Sequence, residues 1–82
     1  MAGQVKKLIH GEGGTLEVVI EAGDLDLSEL PMQIAVRIGG TSITLHPGAE
    51  TRPGLYRCII QPKWKDLAES ICVPGATVEL DQ

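Results

Sequence analysis

The clearest pattern in the chain is an alternation of apolar and polar residues either side of Gly39-Gly40. Met32, Ile34, Val36 and Ile38 alternate with Gln33, Ala35 and Arg37 before the glycines. Ile43 and Leu45 alternate with Ser42, Thr44 and His46 after them. Period two marks a half-buried strand, and a Gly-Gly pair tolerates the positive φ of a two-residue hairpin turn. The register can be written down: Ile38 with Thr41, Val36 with Ile43, Ile34 with Leu45. This places apolar pairs on one face, with Arg37–Ser42 and Ala35–Thr44 on the other. A slip of one residue would break the match.

A second hairpin is predicted from Gln4–His10 and Thr15–Glu21 around Gly11-Glu12-Gly13-Gly14. Leu16, Val18 and Ile20 form its apolar row. Pairing Ile9 with Leu16 sets Val5 opposite Ile20, but it also sets Lys7 opposite Val18. Glu21–Leu30 is acidic, ends at Pro31, and reads as a connection anchored by Leu25, Leu27 and Leu30. Pro47–Gly54 reads as a turn-rich loop. Leu55–Gln61 is apolar on both parities, the mark of a central strand covered on two sides. From Pro62, a residue suited to a first helical position, Trp64, Leu67, Ala68 and Ile71 fall on one face, predicting a helix over Pro62–Ser70. Val73-Pro74-Gly75 ends it, and Ala76–Asp81 alternates once more.

These elements amount to about six short strands and one helix near the C-terminus, in a chain too short to leave many sheet edges open. The predicted fold is mainly β, a small closed or half-closed barrel forming a single domain over residues 1–82. Its expected core is Leu16, Val18, Ile20, Ile34, Val36, Ile38, Ile43, Leu45, Ile59, Leu67, Val78 and Leu80. The apolar residues are almost wholly aliphatic, since Trp64 and Tyr56 are the only aromatics and there is no Phe. This suits a narrow interior.

The segment Cys58–Leu80, strand into Pro62, helix, Pro74-Gly75, then Val78-x-Leu80, resembles the core unit of the AbrB/SpoVT swapped-hairpin regulators and of double-psi β-barrels. Over Thr15–Asp81 the chain resembles a small bacterial barrel domain of unknown function seen with the YdeI/OmpD-associated family. Val36–Ile43, Leu45-His46-Pro47 and Gly54-Leu55-Tyr56-Arg57 carry that likeness, while Gly75-Ala76 stands where that family has Gly-Asp. The resemblance implies a barrel and no activity. The basic N-terminal half with which the swapped-hairpin regulators bind DNA is acidic here.

The formal net charge is −4, which argues against general binding of the phosphate backbone. The charge is uneven. Six acids and no base lie between Leu8 and Val36, and four bases and no acid between Thr51 and Lys65. Arg52, Tyr56, Arg57, Lys63 and Lys65, with Trp64 among them, are therefore the candidate binding residues, for an anion or a nucleic acid. Trp64 also serves the apolar face of the helix, and Tyr56 and Arg57 point to opposite sides of one strand.

Catalytic chemistry has little footing. His10, His46, Cys58 and Cys72 show none of the usual zinc spacings, so no metal or other cofactor is expected. Cys58 and Cys72 read as reduced, buried thiols; a thiol or metal enzyme built on them and a histidine is the third choice. Gly11–Gly14 lacks the lysine and helix of a phosphate loop. Asp24, Asp26 and Glu29 lack a full calcium-loop spacing. No membrane span or export signal is visible, predicting a cytoplasmic protein. The expected role is a small non-enzymatic binding or protein-interaction module, acting on a protein partner or by self-association as a homodimer.

Overall fold

The structure, a computed structural model, describes residues 3–23 and 32–80. The anchoring leucines Leu25, Leu27 and Leu30, and the acids Asp24, Asp26 and Glu29, lie outside the described residues. Six antiparallel strands form a closed barrel in the order β1-β2-β5-β4-β3-β6. They are β1 (Gly3–His10), β2 (Leu16–Glu21), β3 (Ile34–Ile38), β4 (Thr41–Arg52), β5 (Leu55–Ile60) and β6 (Thr77–Leu80). Among the described residues one α-helix, α1 (Lys65–Ile71), follows a 3-10 turn at Pro62–Trp64.

The β3–β4 hairpin has the predicted register throughout, from Ile38–Thr41 to Ile34–Leu45. Gly39 and Gly40 make its turn at φ of 59° and 88°, a region where a side chain would be strained. The hydrophobic row faces the barrel interior, and Ile34, Val36, Ile38, Ile43 and Leu45 are all buried. Met32 lies outside the strand and is exposed.

The first hairpin departs from the predicted register. His10 pairs with Leu16 and Leu8 with Val18, yet Val5 still pairs with Ile20, because the ladder shifts between Val5 and Lys7. A bulge inserts one unpaired residue and restores the inward row beyond it. Lys7 thereby sits opposite Val19 on the outer face. The charge that conflicted with a simple hairpin is what the bulge turns outward.

Three further expectations are corrected. Pro47–Gly54 is not a loop: β4 runs on to Arg52, with irregular pairing between Pro47 and Glu50 and again between Glu50 and Arg52. Proline is accommodated at such breaks because a missing N–H costs little where the ladder is already interrupted. Gly48 sits in the first break, where a Cβ would collide with the Arg57 carbonyl. Secondly, β5 is covered on one side only. Tyr56, Cys58 and Ile60 are buried while Ile59 is 50% exposed, so Ile59 is not core. Thirdly, Leu67 lies at the rim of the helix, 36% exposed, and Leu80 is only partly buried. The helix contributes Ala68 to the core, next to Cys72 just beyond its end, with Trp64 and Ile71 packed against them.

Because neighbouring strands alternate in direction, the β1–β2 turn, the β3–β4 turn and the β5-to-β6 crossover carrying α1 share one end of the barrel. The β4–β5 turn at Pro53-Gly54 lies at the other. No helix among the described residues is long and apolar enough to cross a membrane.

Candidate functional site

The bases of the Thr51–Lys65 stretch do not form one patch. Arg52 ends β4 and is exposed at the barrel end away from the helix. It lines a shallow depression of about 150 Å³ with Glu21, Gly23, Pro53, Gly54 and Leu55. Lys63 and Lys65 follow the opposite end of β5, a strand length of roughly 20 Å away. Tyr56 is 3% exposed and belongs to the core. On the outer face, Arg57 donates from Nη2 to Glu17 Oε1 at 2.8 Å across the β2–β5 ladder. The Lys63 ammonium stands 5.5 Å from the centroid of the Trp64 ring, within cation–π range. Of the five, only Lys65 reaches a sizeable concavity.

That concavity is a groove of about 500 Å³ at the helix end of the barrel. Three stretches distant in sequence build it: Gly13–Glu17 at the first turn, His46 on β4, and Ile59–Pro62 with Lys65. Strand pairing brings them side by side, since Glu17 is opposite Ile59 and Ile59 is opposite His46. Leu16, Ile59, Ile60 and Pro62 supply an apolar lining. The turn above is held by Gly11 N–H donating to the Thr15 carbonyl at 3.0 Å and by the Thr15 hydroxyl donating to the Glu12 carbonyl at 3.1 Å.

The polar groups of the groove are few and mostly engaged. Gln61 Nε2 stands 2.7 Å from His46 Nε2, a contact in which the amide nitrogen can only donate. Glu17 is committed to Arg57. The half-buried Lys65 reaches over Gly14, its ammonium 3.7 Å from where a Cβ on that glycine would sit. Among the described residues Lys65 makes no ion pair.

Of the histidines and cysteines weighed for catalysis or metal binding, His46 lines the groove and the other three do not. Cys58 and Cys72 are unbridged and buried. Burial pushes both thiols up to about 11, that of Cys58 despite an opposing backbone hydrogen bond at Gly48. His10 lies 3.7 Å from Glu69 on the surface. No three His, Cys, Asp or Glu side chains gather as a metal site among the described residues. His46, Ile59 and Gln61 are the groove residues that sequence spacing does not join. No sequence signal points to them, because both parities of β5 are apolar and Ile59 reads there as core. Compared with known protein families, curated proteins and solved structures, the chain matches none.

Proposed function

We propose that this chain is a non-enzymatic binding module that takes its ligand in the groove at the helix end of the barrel. The observation that carries this reading is a concavity of about 500 Å³ with an aliphatic lining and three convergent polar side chains, His46, Gln61 and Lys65. Small-molecule sites have this composition and fall in the range of roughly 300–1,000 Å³. Supporting it, Ile59 is half-exposed with no burial role to explain it. The two thiols, the strongest nucleophiles of the chain, are buried in the barrel core and held protonated, whereas a catalytic thiol needs an exposed, electropositive setting.

Amide NMR spectra recorded with a mixture of small aromatic fragments test the reading. Shifts are expected at residues 13–17, 46 and 59–65. Shifts confined to the Arg52 end, or none at any fragment concentration, would overturn it.

A further inference from the structure

We propose that the groove selects a small monoanionic carboxylic acid with an apolar body. The proposal deepens the reading of the groove as the binding site and rests on it. It follows from the charge balance of the lining. Among the described residues Glu17 is the one acid there, and it already has the Arg57 guanidinium at 2.8 Å. Lys65 lines the same groove half-buried and has no ion pair among the described residues. The groove therefore holds one cationic charge in excess, beside an aliphatic surface.

An ammonium in that position is best complemented by one negative charge at hydrogen-bond distance. A phosphate dianion would bring a second charge with nothing to neutralise it, and desolvating that charge is costly. A neutral ligand would leave Lys65 partly desolvated and unpaired. A cation would be repelled. Gln61 adds a directional element: one amide N–H is spent on His46, and the second remains to donate to a carboxylate oxygen. Ile59 and Pro62, the exposed apolar residues of the lining, then receive the hydrocarbon part. These aliphatic surfaces impose no hydrogen-bond pattern on the body, so selectivity lies in its size and in the acid group. The volume suits a free small molecule.

The test uses hydrocinnamate, its neutral isostere hydrocinnamamide, and the tripeptide Ala-Ala-Leu with a free carboxylate, titrated into the intact chain and into Lys65→Met. Binding is followed by amide NMR. Hydrocinnamate is expected to bind about tenfold more tightly than the amide, with shifts at residues 13–17 and 59–65. In Lys65→Met that preference is expected to vanish while the amide binds as before. Melting temperatures of the two proteins are compared to show that the variant is folded. If the amide shifts the same residues with affinity equal to the acid's, carboxylate selection is refuted and the groove stands. If no probe moves the groove residues, the groove reading itself fails and this proposal with it. A tripeptide that binds tenfold more tightly than hydrocinnamate would replace the small acid by a protein C-terminus.

Discussion

Ile59 and Ile60 are chemically identical neighbours on β5, and the barrel assigns them opposite surroundings. Ile60 points inward and is 3% exposed; Ile59 points outward and is 50% exposed. Truncating each to alanine isolates that difference. Burying an isoleucine side chain completely is worth roughly 1.5–3 kcal/mol in transfer alone. A cavity left in a close-packed core adds to this, so truncations of this kind cost about 2–5 kcal/mol. Ile60→Ala should fall in that range. Ile59→Ala forfeits about half the transfer contribution and leaves no enclosed void, so it should cost about 1 kcal/mol. For a domain of this length, 1 kcal/mol corresponds to roughly 4–8 °C in melting temperature. Ile60→Ala should therefore melt at least about 10 °C below the parent, and Ile59→Ala within several degrees of it. Urea unfolding followed by far-ultraviolet circular dichroism and by Trp64 fluorescence gives both free energies, with the m-value as the check that the denatured state is unchanged. Equal costs at the two positions would refute the one-sided burial of β5, and with it the outward placement of Ile59 in the groove.

Three other outcomes are expected. Burial pushes the Cys58 and Cys72 thiols up to about 11 from an ordinary 9.0. Their protonated forms favour folding, so this contribution is full below pH 9 and lost as the pH rises through 11, on the order of 2 kcal/mol for each thiol by urea unfolding; a flat profile would contradict their burial. Gly48→Ala forces a Cβ against the Arg57 carbonyl and should cost about 1–3 kcal/mol, comparable to other strained or overpacked substitutions; a neutral effect would show that the break in β4 yields freely. Glu17→Gln removes a partly exposed ion pair with Arg57 and should cost under about 1 kcal/mol, with the difference shrinking at high salt; a salt-independent loss would mean the pair does more than shield charge.

Legibility in the sequence depended on how much each strand distinguishes its two faces. The β3–β4 hairpin contrasts Ile34, Val36, Ile43 and Leu45 with Ala35, Arg37, Ser42 and Thr44, so only one register satisfies it. The β1 bulge was visible only as a conflict over Lys7, because periodicity assumes an unbroken ladder. In β5 both parities are apolar, and nothing local separates Ile59 from Ile60. Pro47 and Gly48 signalled a loop because breaks in a ladder use the same residues as turns. The groove was the least legible feature. Its parts lie tens of residues apart and meet only through cross-strand pairing, whereas the basic stretch, contiguous in sequence, is divided between the two ends of the barrel by the length of β5.

The strand order gives β6 an influence beyond its four residues. It is the one strand bonded to both β1 and β3, so it closes the ring. A polypeptide that has not yet acquired Thr77–Leu80 is an open five-stranded sheet with two bare edges, each able to recruit a foreign strand. Shortening the chain before Thr77 should therefore yield a species prone to intermolecular assembly, rather than a slightly less stable version of the same barrel.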